Sequence, residues 1–514
     1  MARGWLTSPL GSLLLIACGD SVAGVTVTGS TSGADDSTSV SAGQTSAPEP
    51  TSEASGAPDS TSASEHTSTT TADTSTGEPV DCAEIVIPDP GLFMHLLDEL
   101  DLEAGPIPPA LALTTTTLSF VGEPEVDSLA GLECFANLEN LLIIGPGGIT
   151  DLGPLSGLGE LESVQLDLQD VGDLGPLVGL PLRHLSLRGS NIVDLAPIAA
   201  LPDLRHLDVD KNPVVSFAPL ADHPALTRLS AAGTTPIDLV GLGEIPHLAK
   251  LTLAGAGVTD LGPLAGAVGL TELDLSFNDI IELGPLAGMT QLYQLELDRN
   301  QIATVDVLTA MPELVTLRLR HNAIADVTPV ASLPALRTLD LAENAITTIA
   351  PLAGLLELRS LHLEVNQISD VAPLAALAAL TELDVSDNPL ASGISELTAL
   401  TELTDLGLEH TGISDLATIS PVTLRTLRAG GNAITDLAPL AGHTKLRVLK
   451  LADNAITTID PILGAPFWAD DCVEVDFRGN PLDAVSLTTS LPGLCDDNQW
   501  VLWDEGECYY CMLR

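Results

Sequence analysis

Charged side chains recur along this chain at steps of 22 residues. Asp274, Glu296, Arg318 and Asp340 follow one another at that interval. If each step is one turn of a regular structure, these side chains form a single surface that is mostly acidic with one basic rung. Such a surface would recognise a protein with a basic face, because complementary charges steer association. The candidate binding residues are Asp208, Asp210, Asp274, Glu296, Asp298, Arg318, Arg320, Asp340, His362, Glu364 and Asp384.

Two histidines, His184 and His206, are related by the same interval, and Asp208 follows the second. Imidazole and carboxylate groups are zinc ligands, so these three residues are a candidate metal site. Two solvated histidines are the simpler interpretation. The motifs of serine hydrolases, zinc proteases, phosphate-binding loops and dinucleotide-binding folds do not occur in a suitable context. We therefore expect no catalytic residue, no resident metal and no cofactor.

Leucines with the same period must position this surface. They open the pattern L-x-x-L-x-L-x-x-N-x-I, in which L-x-L alternates as a β-strand does, with Leu273 and Leu275 inward and Asp274 outward. One such strand cannot bury its apolar side alone, so successive turns must stack into a continuous core. Weaker copies extend the pattern back to Thr115 and forward to Cys472, about 17 turns in all. The clear copies begin at Leu182, Leu204, Leu226, Leu248, Leu270, Leu292, Leu314, Leu336, Leu358 and Leu380.

The other positions of the repeat predict how the chain turns. An asparagine recurs where the chain leaves the strand, and its amide can satisfy carbonyls that the turn leaves unpaired. A proline in the second half of the repeat has a fixed φ that suits the start of a short helical turn. We predict an α/β solenoid with a parallel, concave sheet on one side and short 3₁₀ or irregular turns on the other. The ladder comprises Asn278, Asn300, Asn322, Asn344, Asn366 and Asn388, and looser turns are expected at Ser190, Thr234, Ala256 and Thr411.

This pattern is that of a leucine-rich repeat, and it resembles the internalin type of bacteria. Residues 366–374 read N-Q-I-S-D-V-A-P-L and are followed by further leucines. The segment 87–100 resembles the helical N-terminal cap of that family, and 128–133 resembles its entry to the first repeat. The resemblance spans about residues 84–482 and implies protein recognition through the concave sheet. We recognise neither an immunoglobulin-like domain nor a cell-wall anchoring signal after the repeats, so we do not extend the resemblance to host invasion.

The first residues of the chain predict export. A basic residue precedes an apolar run whose end, 15–19, reads L-I-A-C-G and resembles a bacterial lipobox. Residues 1–17 are then a signal peptide and Cys18 carries a lipid, the alternative being an ordinary secretory signal with an incidental cysteine. Residues 18–80 are rich in serine and threonine and poor in apolar side chains, so we expect a disordered tether. These features place the protein in the bacterial cell envelope outside the cytoplasm (outer membrane, cell surface or periplasm), touching a membrane only through the lipid anchor.

The charge composition bears on the partner. The 514 residues include 70 acidic and 19 basic ones, which gives a net charge of −51 at pH 7. Binding to nucleic acid needs a basic footprint. We therefore expect no nucleic acid, and a protein ligand with a basic surface.

The cysteines besides Cys18 lie at the two ends of the repeat array, where disulfides would hold caps that lack a neighbouring repeat. We predict a Cys82–Cys134 disulfide at the N-terminal end. The other four, Cys472, Cys495, Cys508 and Cys511, allow three connectivities or a zinc site. Of these we prefer Cys472–Cys495 with Cys508–Cys511. The predicted domains are an N-terminal cap over 81–114, repeats over 115–482 and a disulfide-bonded C-terminal cap over 483–514.

Two functions fit the sequence. The first is a recognition or adhesion module that binds a protein through the concave face. The second is a structural envelope scaffold or spacer without a specific ligand, in which charges such as Glu296, Arg318 and Asp340 merely pair across strands. Aromatic side chains, which anchor tight interfaces, are nearly absent from the predicted face and cluster in the last 50 residues. There we expect them to form the core of the cap.

Overall fold

The structure is a computed structural model that describes residues 82–234, 238–390, 394–419, 423–469, 473–496, 499–504 and 506–509. The predicted signal peptide, Cys18 and the 18–80 tether lie outside the described residues. Within the described ranges, no helix has the length and apolar character needed to cross a membrane.

Strands form at the L-x-L segments, as the alternation of apolar and polar residues predicts. They join one sheet in chain order, and each strand is parallel to the next except in the last pair, which is antiparallel. The strands of the described chain are β1 Thr117–Val121, β2 Asn140–Ile144, β3 Ser163–Asp167, β4 His184–Ser186, β5 His206–Asp208, β6 Arg228–Ser230, β7 Lys250–Thr252, β8 Glu272–Asp274, β9 Gln294–Glu296, β10 Thr316–Arg318, β11 Thr338–Asp340, β12 Ser360–His362, β13 Glu382–Asp384, β14 Asp405–Gly407, β15 Thr426–Arg428, β16 Val448–Lys450, β17 Glu474–Asp476, β18 Trp500–Trp503 and β19 Gly506–Tyr509.

The register aligns equivalent repeat positions and builds the core between the sheet and the turns. Leu317 in β10 stands beside Leu295 in β9 and Leu339 in β11, and all three side chains are fully buried. The predicted solenoid and its inward leucines are therefore confirmed. Strands β1–β17 correspond to the predicted turns, whereas β18 and β19 extend the sheet into the segment that we had assigned to a cap.

The side opposite the sheet consists of short 3₁₀ turns, as predicted from the recurrent proline. Their central apolar residues, such as Leu286 and Val330, are buried against the strands. The described turns of three or four residues are Leu132–Cys134, Gly153–Leu155, Gly175–Leu177, Ala218–Leu220, Leu242–Glu244, Gly262–Leu264, Asp460–Ile462 and Pro466–Ala469. Those of five residues are Ala196–Ala200, Gly284–Gly288, Asp306–Ala310, Thr328–Ser332, Ala350–Gly354, Ala372–Ala376, Ser395–Ala399 and Ala438–Gly442.

A helical segment covers the N-terminal end of the core. Helix α1 (Pro90–Glu99) starts with proline at its first position, and Asp89 caps it by accepting a hydrogen bond from the Leu92 amide at 2.7 Å. A short helix α2 (Pro109–Ala112) follows. The predicted disulfide between Cys82 and Cys134 is present and ties the start of this segment to the first 3₁₀ turn.

The C-terminal end carries a π-helical turn, Ser486–Ser490, that runs into helix α3 (Leu491–Asp496). The predicted aromatic core is seen in Phe467 and Phe477, which are buried. Cys472 and Cys511 lie outside the described residues, and the side chains of Cys495 and Cys508 are not described. The pairing of these four cysteines stays a prediction.

Each asparagine of the ladder bridges two turns. Asn300 donates through Nδ2 to the carbonyls of Leu275 and Leu297, both at 3.0 Å, and its Oδ1 accepts from the amide of Ile280 at 3.0 Å. At Ser190 and Thr411 a hydroxyl takes this place and donates to one or two carbonyls instead. The same bridging arrangement occurs at Asn212, Asn278, Asn322, Asn344, Asn366, Asn388, Asn432, Asn454 and Asn480.

The exposed face of the sheet as a candidate ligand site

The outward positions of the repeat form three columns across the strands, which we call the sheet face. In β8 they are Glu272 in the first column, Asp274 in the second and Ser276 in the third, two residues beyond the strand end. Neighbouring members of a column stand one strand spacing apart, about 4.8 Å. The structure brings the predicted binding residues together on this face. Asp208, Asp274, Glu296, Arg318, Asp340, His362 and Asp384 occupy the second column, and Asp210, Asp298, Arg320 and Glu364 occupy the third.

Several carboxylates of the sheet face are held in positions that disfavour their charge. Burial raises the pKa of Asp208 to about 6, although a hydrogen bond from the backbone of Asp210 opposes the shift. Burial likewise raises the pKa of Asp298 to about 6 against a hydrogen bond from the Arg320 backbone. The pKa of Glu364 is also raised, by burial and by the nearby charges of Asp384 and Asp340. In the protein without a ligand, ionising these groups costs free energy. A cationic ligand would offset that cost.

The ion pairs of the face differ from the simple ladder of Glu296, Arg318 and Asp340 considered above. Arg320 contacts two carboxylates, Glu343 at 2.5 Å and Glu364 at 2.6 Å. Arg318 is exposed, and among the described residues no carboxylate oxygen lies within 4.0 Å of its guanidinium group. The spacer interpretation relied on internal pairing at this rung, and that pairing is not formed.

The candidate metal triplet does not assemble. The rings of His184 and His206 stack edge to face with centroids 4.5 Å apart, while Asp208 contacts Arg188 at 3.3 Å. Across the described ranges, no group of three histidine, cysteine, aspartate or glutamate side chains is arranged to hold a metal ion. The pKa of His206 is lowered by burial and then by the charges of His184, Arg228, Arg205 and Lys250.

An exposed ridge borders the sheet face, immediately before each ladder residue, and the sequence analysis missed it. Its residues have left-handed backbone, as at Phe277 with φ 60° and Val365 with φ 57°. Arg299 lies over the Phe277 ring at 5.4 Å, and Phe277 is 61% exposed. The signal in the sequence was glycine at the equivalent position, since only glycine adopts this conformation freely. The equivalent glycines are Gly189, Gly233, Gly255, Gly431 and Gly479.

Comparisons with known proteins agree on the class of fold. Two family models, both described as leucine-rich repeats, match residues 312–368 and 270–282. No curated protein matches the chain significantly. The architecture and these matches give the chain the leucine-rich repeat fold.

Solved structures extend the likeness to about three quarters of the chain. A leucine-rich repeat protein of Leptospira interrogans is 20% identical, with a TM-score of 0.59, and the match covers 77% of this chain and 97% of that one. The functional domain of InlJ from Listeria monocytogenes is 22% identical, with a TM-score of 0.54 and coverage of 76% and 80%. The ectodomain of the Arabidopsis thaliana receptor kinase GASSHO1/SCHENGEN3, solved with CASPARIAN STRIP INTEGRITY FACTOR 2, is 17% identical, with a TM-score of 0.54 and coverage of 77% and 57%. These likenesses concern the fold.

Proposed function

We propose that this chain is an internalin-like recognition module of the bacterial cell envelope that binds a protein ligand on its sheet face. A lipid on Cys18 anchors the module, and residues 18–80 tether it. The observation that carries the proposal is the set of charges on the sheet face that the fold compensates only in part. Asp208 and Asp298 are carboxylates with raised pKa values, and Arg318 is a guanidinium without a carboxylate contact among the described residues.

The energetics favour recognition over a passive spacer. In a solvated spacer, burial of a carboxylate costs free energy that the backbone hydrogen bonds to Asp208 and Asp298 offset only in part. Serine or threonine at the same position would fill the column without that cost. Thr252 and Thr316 show that the columns accept such residues. A basic partner, by contrast, would stabilise the ionised form of each carboxylate that it contacts.

The partner that suits this face is a protein with a basic surface. The acidic positions concentrate between β8 and β13, where Asp274, Glu296, Asp340 and Asp384 stand in one column. Buried aromatic anchors are not a feature of these columns, so charge complementarity acts mainly on the rate of association. Among the similar structures, the plant receptor ectodomain was crystallised in complex with CASPARIAN STRIP INTEGRITY FACTOR 2, which is a precedent for ligand binding by this fold.

The test is capture of a partner by the full chain, followed by mass spectrometry. The variant Asp274→Ser with Glu296→Ser and Asp298→Ser removes acidic charge without touching the leucine core. Its matched control, Asp151→Ser with Asp194→Ser and Asp436→Ser, removes three exposed carboxylates that cap the turns on the other side. We expect a partner that the wild type and the control variant retain and the sheet-face variant loses. Equal capture by all three proteins would exclude the acidic face as the binding site and favour the scaffold interpretation.

A further inference from the structure

The N-terminal part of the sheet face concentrates positive charge in a strongly acidic chain. His184, His206, Arg228 and Lys250 are consecutive members of the first column, paired side by side in β4 to β7. The chain has 19 lysines and arginines against 70 acidic residues, so a run of basic side chains differs from the average charge of its surface. We call these four residues the cationic cluster, and Arg228 and Lys250 carry its positive charge at pH 7.

The cluster is only partly neutralised by the protein itself. Lys250 pairs with Glu272 at 2.5 Å. Arg228 is exposed, and no carboxylate oxygen of the described chain lies within 4.0 Å of it. Like charges on directly neighbouring strands destabilise a sheet. The pKa of His206 is lowered by burial and, in addition, by the charges of His184, Arg228, Arg205 and Lys250. The fold therefore bears a cost for this arrangement that an anion would relieve.

Two depressions in the surface meet at Arg228. The first has a volume of about 200 Å³ and is lined by His184, Ser186, His206, Asp208, Arg228 and Ser230 among others. The second, about 190 Å³, is lined by Arg228, Lys250, Thr252, Glu272 and Glu296 among others. A single water molecule needs only about 10–15 Å³ of such space, so each depression has room for a side chain of a ligand.

We propose that the cationic cluster is a subsite for a carboxylate carried by an extended, acidic segment of the protein ligand. Arginine suits this role because its planar guanidinium binds a carboxylate through two parallel hydrogen bonds. The inference rests on the proposed function and sharpens it, because the ligand must then carry both signs of charge. Its acidic end lies at β4 to β7, and its basic end lies over Asp274 and Glu296.

The register sets the spacing of these charges in the ligand. From Arg228 in β6 to Glu296 in β9 is three strand steps, about 14 Å at about 4.8 Å per step. An extended peptide covers that distance in about four residues, at about 3.3 Å each. The ligand segment should therefore place an acidic residue about four positions from a basic one.

The test uses the full chain and a blocked peptide, acetyl-Glu-Glu-Ser-Gly-Ser-Lys-Lys-amide, titrated by calorimetry. An ionic strength of about 0.15 M limits long-range repulsion to about 8 Å. We expect binding that Arg228→Gln weakens about tenfold or more. The matched control is Arg337→Gln, which removes an exposed arginine outside the three columns and should leave the affinity unchanged.

A second readout distinguishes a bound carboxylate from a general effect of charge. In histidine-labelled protein, the midpoint of the NMR titration of His206 should shift to higher pH when the peptide binds. The bound carboxylate would offset the positive charges of His184, Arg205, Arg228 and Lys250, which lower the pKa of His206 in the free protein. Asp208, on the same strand, is present in both states and does not account for the shift. Inorganic phosphate is the alternative probe. Binding of phosphate that depends on Arg228 and is not displaced by the peptide would overturn the assignment to a carboxylate.

The other outcomes separate this inference from the proposed function. No binding of the peptide, or equal losses in Arg228→Gln and Arg337→Gln, would overturn the subsite. Capture of a partner that depends on Asp274, Glu296 and Asp298 but not on Arg228 would leave the proposed function standing and remove the subsite. Binding of the peptide that depends on Arg228 without capture of any protein would support the subsite and count against the proposed function.

Discussion

Arg428 reaches Asp384 across an intervening strand, with Nη2 3.0 Å from Oδ2. Between them in the second column stands Gly407, which pairs with both residues in the sheet register. Arg320 and Glu364 repeat the arrangement in the third column, at 2.6 Å and 44 residues apart, across the position of Ala342. A side chain can span two strand steps because the residue between is small.

The substitution Gly407→Ala should break the pair between Arg428 and Asp384. A Cβ atom at Gly407 would lie 2.3 Å from the carboxylate of Asp384, so that side chain must turn away. Exposed or half-exposed ion pairs contribute about 0.2–1 kcal/mol. A double-mutant cycle with Arg428→Ala, measured by urea unfolding, should therefore show a coupling free energy of this size.

The control for this cycle is Gly354→Ala, where an added Cβ meets no atom within 4 Å. It should leave the effect of Arg428→Ala unchanged. If Arg428→Ala costs the same in the Gly407→Ala background as in the wild type, the two-strand pair does not contribute to stability.

Neighbouring inward and outward residues should differ strongly in how much a substitution destabilises the protein. Leu317→Asp places an unpaired carboxylate in a fully buried site between Leu295 and Leu339, and we expect severe destabilisation or loss of folding. Arg318→Ala, one residue on, should change the free energy of unfolding by no more than about 1 kcal/mol. Equal shifts of the urea midpoint for the two variants would contradict the register.

The leucine period predicts the solenoid, its register and the side of each strand that faces solvent, because packing constrains those positions alike in every repeat. It does not predict which outward charges meet. The contact of Arg428 with Asp384 depends on Gly407, and the raised pKa of Asp298 depends on its burial by neighbours. These are properties of three adjacent turns together, so reading one repeat at a time cannot reveal them. The strands β18 and β19 were missed because they lack the leucine signature.

The proposed anchor gives a prediction about localisation. Cys18→Ser should move the protein from the membrane fraction to the soluble fraction, because the lipid is the strong membrane-binding group of the proposal. The measurement is immunoblotting after membrane fractionation, with palmitate labelling as a second readout. A variant that stays with the membranes would disprove the lipoprotein assignment and leave the ordinary secretory signal as the interpretation.

At the exposed ridge with left-handed backbone, substitution to glycine and substitution of glycine should have opposite effects on stability. Val365 is β-branched, has φ 57° and is 46% exposed, so Val365→Gly removes strain with little loss of packing. We expect it to stabilise the protein by roughly 1 kcal/mol. Gly255→Val at the equivalent position should destabilise it by roughly 1–3 kcal/mol, although the nearest atom to an added Cβ is 3.9 Å away. A stabilising effect of both substitutions in thermal unfolding would rule out strain as the cause.

The buried histidine His223 predicts a loss of stability in mild acid. It occupies a core position that Leu201 and Ile245 fill in the adjacent turns, and it is 3% exposed. Burial lowers its pKa from 6.5, and the backbone carbonyls of Leu201 and Ile198 offset this only in part. Because the folded pKa lies below the unfolded one, the unfolded chain takes up the proton first as the pH falls. The stability contributed by neutral His223 is thus complete above pH 6.5 and is lost as the pH falls through the folded pKa.

His223→Leu should remove this component of the pH dependence. We expect the free energies of unfolding of the wild type and the variant to diverge as the pH is lowered from 7.5 to 5, to the advantage of the variant, in urea titrations at fixed ionic strength. Asp208 and Asp298, whose raised pKa values favour the fold as the pH falls toward 6, are present in both proteins and cancel in the difference. The exposed histidine at position 247 provides the control, since His247→Leu should leave the pH profile of the wild type unchanged. A constant difference between wild type and His223→Leu across this pH range would show that His223 keeps its ordinary pKa in the folded protein.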